Sequence, residues 1–416
     1  LQLKENIAII GSGISGLTCA YVLDRHCKIT LFEANGYFGG HTNTVMVPYK
    51  DEHLAIDTGF IVFNQSNYPL FTKLVQQINV DYQNTEMSFS FSSKKDQLEY
   101  SGRKLSTLFS QKRNWVRPQF YRLLNDILRF NRDAKEHLDN AINSSVSLKS
   151  FVAAKNYSQW FWEVYLMPMV AAIWSSTPNA VESMSAHRVL SFFDNHGLLQ
   201  LKNAPQWLTI QGGSQTYVKA LLKNFSGIAV KNAYVSKVSR NEAGVTLHFG
   251  DEQQHFDQVI FACHSDTALK LLETPTDHEV NILKAIPYQN NEVILHTDHS
   301  IMPERKAVWS SWNYHARDLG LTALTYYMNR LQGLTIPQDY FVSLNVTAEL
   351  QPKHIIAQFN YSHPVLDETA IQAQSEFSKI SGENNTFYCG AYWFNGFHED
   401  GVASGVRVCN QLGVSF

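Results

Sequence analysis

Long hydrophobic runs are scarce in this 416-residue chain. The densest apolar stretch, Tyr165 to Trp174, is too short to span a bilayer and contains Pro168. A membrane-spanning helix is therefore not expected, and only peripheral attachment to a membrane surface stays open. Cysteine is also sparse: Cys19, Cys27, Cys263, Cys389 and Cys409 are odd in number, scattered, and without a C-x-x-C pair. Such a set argues against a disulfide framework and a zinc site, reads as small buried hydrophobes, and leaves no metal expected. Charged residues make up only 17%, and the net charge is −3. No basic excess is present to track a phosphate backbone, so nucleic acid is not an expected partner. No signal-peptide pattern precedes the first strand, which points to the cytoplasm. Repeats and low-complexity segments are absent.

Apolar residues are plentiful at 44%, and aromatic ones reach 12%, with 8 Trp, 19 Tyr and 25 Phe. Those rings must pack a core, line a pocket, or both. The length suits two domains, or one domain with a large insertion.

The first fifty residues carry the sharpest signal. Ile7-Ala8-Ile9-Ile10 reads as a buried parallel strand, Gly11-Ser12-Gly13-Ile14-Ser15-Gly16 follows it, and Leu17 to Leu23 continues with helical spacing. Lys28 to Phe32 is the next strand, with Glu33 at its end. In a dinucleotide-binding unit Gly11 permits the tight turn, Gly13 admits a pyrophosphate, and Gly16 lets helix and strand pack closely. The phosphates meet the helix N-terminus, and Glu33 is spaced to accept hydrogen bonds from the adenosine ribose. The motif alone does not choose between NAD and FAD.

Further along, Gly36, Gly39 and Gly40 form a second glycine loop, and Ala55 to Asn64 is a strand-like run broken by Gly59. That glycine marks a close approach to a ligand or a bulge. Met87 to Tyr100 reads as a hairpin, and Arg117 to Glu182 as mostly helical, with the rings of Trp160 and Trp162 as core. His196 faces a pocket or is structural. Gly212-Gly213 opens a helix over Tyr217 to Leu222, and strands are expected at 228–230, 235–238, 245–249 and 256–263. Tyr288 to His363 is strand-rich. Thr386 to Ala391 is a strand running into Gly390, residues 392–401 are a loop, and Val402 to Leu412 is a closing helix. Free N–H groups near Gly401 are placed to stabilise negative charge on a ligand.

Taken together, these segments resemble the FAD-dependent amine oxidase, protoporphyrinogen oxidase and phytoene desaturase superfamily over the full length. The likeness is nearest to bacterial proteins described as NAD/FAD-binding, on Asp57 to Asn64, Phe192 to Leu199, Met328 to Gly333 and Gly396 to Gly401. That subgroup is associated with cyclopropane-type lipid methyltransferases and furan fatty acid synthesis, which implies an acyl-lipid substrate. The resemblance implies an α/β fold with a discontinuous Rossmann-like FAD-binding domain (1–66, 205–265 and 370–416) and an α+β substrate domain (67–204 and 266–369). It implies FAD contacts at Gly11, Gly13, Ser15, Gly16, Glu33, Gly40, His41, Thr42, Gly59, Phe60, Val235, Gly390, Gly401 and Val402. His41 stands where the family often has arginine, Ala391-Tyr392 where an acid commonly follows Gly390, and residues 290–294 lack the lysine usual in amine oxidases.

The implied activity is transfer of a hydride from a C–H bond of an apolar substrate to the flavin, with His196, Tyr314, His398 and Glu399 as candidate bases. Glu399 has an equal reading as a helix cap. Trp174, Tyr326 and Phe397 are expected to line the substrate site. Amine oxidation and FAD-dependent isomerisation are the alternative activities. Cys389 and His41 are the candidate covalent anchors for a flavin.

Overall fold

Apolar, β-branched runs bounded by glycine turns build a parallel sheet that is buried on both faces. The computed structural model describes residues 5–139, 146–200, 205–317 and 322–416. Its five strands run Thr386–Tyr388, Gln258–Phe261, Asn6–Ile10, Lys28–Phe32 and Ile228–Val230 in spatial order, all parallel. The opening helix Ile14–Leu23 is buried along nearly its whole length, and the closing helix His398–Gln411 packs on it. An antiparallel sheet of Val235–Asn241, Gly244–Phe249 and Glu252–Phe256 covers one side.

A second, seven-stranded sheet is antiparallel except where Trp312–Ala316 pairs with Phe89–Ser93. Helices from Pro118–Asp139 to Ala186–Asn195 pack beside it around Phe120, Phe130, Phe161 and Phe193. This is the α/β architecture expected, a parallel-sheet unit and a second unit built on another sheet. The expected division after residue 204 falls at the edge of segment 201–204, outside the described residues. Among the described residues, no helix is long and apolar enough to cross a membrane. Trp162 is buried in the helical core, and Trp160 packs against it.

Several elements depart from the sequence reading for local reasons. The closing helix begins at His398, four residues early, because the Asp400 carboxylate accepts the Phe397 N–H at 2.8 Å and sets the helix start there. The run 256–263 is two strands in different sheets, divided at Asp257, whose carboxylate accepts the Asn6 N–H at 2.7 Å. The hairpin Thr44–Tyr49 and Glu52–Asp57 was hidden by its charged, proline-containing sequence. At Gly59 a Cβ would collide with the His41 carbonyl, which accepts the Phe60 N–H at 3.0 Å.

Asp57 ties the sheets together. Its buried carboxylate accepts from Thr44 Oγ1 (2.5 Å), Ser214 N (2.8 Å), Ser214 Oγ (3.0 Å) and Gln332 Nε2 (3.1 Å). Gln332 returns the contact by accepting the Asp57 N–H at 3.0 Å. Thus the segments Asp57–Asn64 and Met328–Gly333, distant in sequence, meet at one buried acid. Asp57→Ala removes the acceptor of these four donor groups and is expected to cost roughly 2–4 kcal/mol of stability. Chemical denaturation of the purified variant checks this, and an unchanged midpoint contradicts it.

Candidate functional site

Both ends of the chain meet at the glycine turn. Gly11 has φ +107°, and a Cβ on it would lie 2.7 Å from the Ala262 carbonyl oxygen, so only glycine fits there. Gly13 is different: a Cβ there meets nothing within 4 Å. No side chain caps the opening helix, which leaves its first N–H groups for an anion. The second glycine loop folds over the first, with the Gly39 N–H donating to the Ser12 carbonyl at 3.1 Å and Gly40 against Gly13. From the other end, Gly401 packs on Ile14 and Ser15. Glu33, at the tip of its strand, accepts from Ser12 N at 3.0 Å and from Asn35 N and Nδ2 at 2.8 Å. The open side of Gly13, the uncapped helix and an acid at the second strand's end are the features a dinucleotide requires. Val235 lies in the same core, on the strand that leaves the Glu33 side of the sheet.

Beside this cradle lies a cavity of about 370 Å³. Its wall includes Gly59, Phe60, Ile61, Val62, Met87, Phe89, Met169, Ile173, Trp312 and Tyr326, together with four histidines, His41, His196, His363 and His398. Among the described residues its wall contains no Asp, Glu, Lys or Arg. At one end, Phe192 stacks on His196 (3.7 Å between centroids) and on Phe397 (4.7 Å), with Trp174 4.8 Å from Phe192. This aromatic group also borders an outer polar cleft of about 970 Å³ that holds Arg188, Asp367, Glu368, Glu399 and Asp400.

Burial holds these histidines neutral. It pushes His398 down to about 3 and His196 to about 4. His363 falls to about 4 by burial, with His264 adding to it, and His41 falls well below the usual range for the same reason, with His363 and His264 beside it. The His41 ring lies 5.3 Å from His363, 5.0 Å from Tyr361 and 6.0 Å from His264. His41 is thus no cationic substitute for an arginine. His398 stacks on Phe60 at 3.6 Å, and its Nε2 meets the Tyr217 hydroxyl at 2.9 Å, which in turn meets Thr42 Oγ1 at 2.5 Å.

The structure separates the candidate bases. His196 and His398 line the cavity, as do the expected wall residues Trp174, Tyr326 and Phe397. Tyr314 does not: it is buried in the helical core, stacked with Phe91 and 4.0 Å from Met167 Sδ. Glu399 is also away from the cavity, because its carboxylate accepts the N–H groups of Leu70 (2.8 Å) and Phe71 (2.9 Å) and so caps the helix Pro69–Gln77. The cap reading was right in kind, but on a different helix. Cys389 is fully buried, with its Sγ 3.8 Å from Cys19 Sγ. Phe192, Tyr361, His363 and Trp207 were missed as cavity residues. The i, i+4 spacing of Phe192 and His196 and the i, i+2 spacing of Tyr361 and His363 were the available signals. Among the described residues, no cluster of His, Cys, Asp and Glu is arranged to hold a metal ion.

The sequence profile of a family described as flavin containing amine oxidoreductase matches residues 14–413. No curated protein sequence matches the chain. Among solved structures, a CLA-producing fatty acid isomerase from P. acnes is similar at TM-score 0.69 and 15% identity, over 98% of each chain. Cyclohexylamine oxidase from Brevibacterium oxydans IH-35A is similar at TM-score 0.69 and 13% identity, over 99% of this chain and 100% of that one. Putrescine oxidase bound to putrescine is similar at TM-score 0.70 and 13% identity, over 99% of each chain. At these identities the likeness is one of fold.

Two outcomes follow from this geometry. Gly13→Ala fills open space and leaves thermal unfolding unchanged while weakening dinucleotide retention by roughly tenfold or more, because the added methyl occupies the pyrophosphate approach; equal retention in titration contradicts the cradle. Stability depends on pH with a definite sign. His41, His196, His264, His363 and His398 bind protons more weakly folded than unfolded, so their contribution is complete above about 6.5 and is lost as pH falls toward their folded values. Asp57, Asp400 and Glu399 act oppositely, all raised by burial and the first two to about 7 and about 6, but these three carboxyls are opposed by the five imidazoles and also by His137, His296 and His315, which burial lowers too. The unfolding midpoint is expected to rise from pH 5 to pH 7, with a shallower slope in His363→Gln; a flat or falling profile refutes this.

Proposed function

The chain belongs to the flavin containing amine oxidoreductase family. It is therefore an FAD-dependent oxidoreductase, and we propose that it removes hydride from a C–H bond of an apolar, acyl-lipid-like substrate held in the uncharged cavity. The observation that supports this is the cavity wall itself, which among the described residues has no formally charged side chain, histidines held neutral, and rings or aliphatic groups over most of its surface. Stripping a cation of water there carries a penalty that no carboxylate offsets, whereas an alkyl chain gains from the same wall.

Bound FAD would supply the acceptor for the electron pair. The chain's own residues position and deprotonate. Trp174, Phe192 and Phe397 narrow the cavity at its border with the outer cleft and orient a chain passing between them. His196 Nδ1 donates to the Phe192 carbonyl at 2.9 Å, so Nε2 carries the lone pair. That nitrogen is the proposed acceptor for the proton lost from the adjacent carbon in a desaturation. His398, held by Tyr217 and Phe60, is a positioning residue.

Amine oxidation is the second reading. Asp367, Glu368, Glu399 and Asp400 in the outer cleft would attract a cationic amine toward the same aromatic border. Isomerisation is a third, supported by the shared fold with a fatty acid isomerase. Anaerobic mixing of the purified flavoprotein with acyl lipids and with amines distinguishes them. Bleaching by an unsaturated or saturated acyl chain supports the first reading, and bleaching by amines alone sinks it. Turnover of a fatty acid to a positional isomer without net bleaching supports the third. With an active apolar substrate, Phe397→Ala and Trp174→Ala are each expected to raise KM about tenfold through lost apolar contact. His196→Gln should lower kcat by roughly a hundredfold with KM little changed. Unaltered kcat in that variant removes His196 from the mechanism.

A further inference from the structure

We infer that the segment around Trp115 and the first half of the helix Pro118–Asp139 form a docking surface for an anionic lipid bilayer. Large apolar side chains are exposed here: Trp115 at 54%, Val116 at 82%, Tyr121 at 47% and Leu128 at 53%. Among the described residues, half of the eight exposed large apolar side chains fall within these fourteen positions. They are also arranged as one face. Trp115 stacks on Phe109 at 4.2 Å, and the Tyr121 hydroxyl donates to the Trp115 carbonyl at 2.9 Å. Leu128 follows Tyr121 by seven residues, two turns along the same side of the helix.

The charge around them has one sign. Residues 102–135 contain nine lysines and arginines against two acids, in a chain whose net charge is −3. The two acids, Asp126 and Asp133, are buried: Asp126 accepts from Ser158 N and Oγ, Asp133 from the Tyr157 hydroxyl, and they pair only with Arg129 and Arg132 of these cations. Among the described residues, no ion pair joins Lys112, Arg113, Arg117 or Arg122 to a carboxylate. Arg113 donates to the Gln97 side chain, and Arg117 lies over the Trp160 ring at 4.5 Å.

An exposed Trp, Tyr, Val and Leu ringed by unpaired cations fits the headgroup zone of a membrane. The apolar side chains enter the acyl boundary, the aromatic rings sit at headgroup depth, and the cations meet lipid phosphates. A protein partner would have to be acidic and apolar on one face; the bilayer supplies both properties over any area. A segment that only lies on the interface needs no membrane-spanning helix, consistent with their absence among the described residues. This inference stands on exposure and charge and does not depend on the substrate proposed above.

The flavin-loaded protein should co-sediment with vesicles of phosphatidylcholine containing 30% phosphatidylglycerol, and not with pure phosphatidylcholine vesicles. Binding should weaken as salt rises from 0.05 to 0.5 M. Trp115→Ser/Val116→Ser and, separately, Lys112→Glu/Arg122→Glu should each reduce partitioning by roughly tenfold or more. All four positions are exposed, so the flavin spectrum and melting temperature should be unchanged, and those two measurements exclude misfolding as the cause. No binding to anionic vesicles, equal binding to neutral ones, or binding insensitive to both double variants would overturn the inference. So would self-association through this face, seen as a dimer in sedimentation that Val116→Asp dissolves.

Discussion

The closing helix lies against the opening helix because glycines leave no side chain between them. A Cβ on Gly401 would come 2.5 Å from Ile14 Cγ2, and one on Gly405 would come 2.8 Å from the Ser15 carbonyl oxygen. Gly16 packs as tightly on the Gly11 turn behind it. This close approach brings the first and last parts of the chain to the same uncapped helix N-terminus, which is the anion-binding feature of the fold.

The first turn of the closing helix then serves three neighbours through consecutive residues. His398 lies flat on Phe60 in the cavity wall, Glu399 caps the helix Pro69–Gln77, and Asp400 caps its own helix. One short segment thus couples cofactor cradle, cavity and a peripheral helix. Each acid is satisfied by backbone N–H groups, and burial still raises both carboxyls above the ordinary range. Their placement in the outer cleft leaves that cleft polar, while the cavity beyond Phe192 and Phe397 carries no charge. The contrast between the two spaces is the main electrostatic feature of the molecule.

Local sequence was enough wherever one short segment contained the whole signal. The opening strand, glycine turn, helix and Glu33 were legible because each residue's role is set by neighbours within thirty positions. The strands at 228–230 and 245–249 were legible for the same reason. The seven-stranded sheet was readable as strands but not in order, since one of its pairings joins residues more than two hundred positions apart, Trp312 with Phe89. Tyr314 looked like a candidate base because a tyrosine in an aromatic strand can face either way; its ring turned to Phe91 and the core. Glu399 looked like a cap or a base, and the helix that claims it lies some 330 residues earlier in the chain.

The sequence by itself determined the dinucleotide-binding unit, the α/β class and the abundance of rings for a pocket, because these depend on residue type and short spacing. Only the tertiary structure decided which histidines share the cavity, that they are neutral, and that Asp57 joins Ser214 to Gln332. Burial and partnership are properties of the folded whole, and no local pattern of residues encodes how much water remains around a side chain.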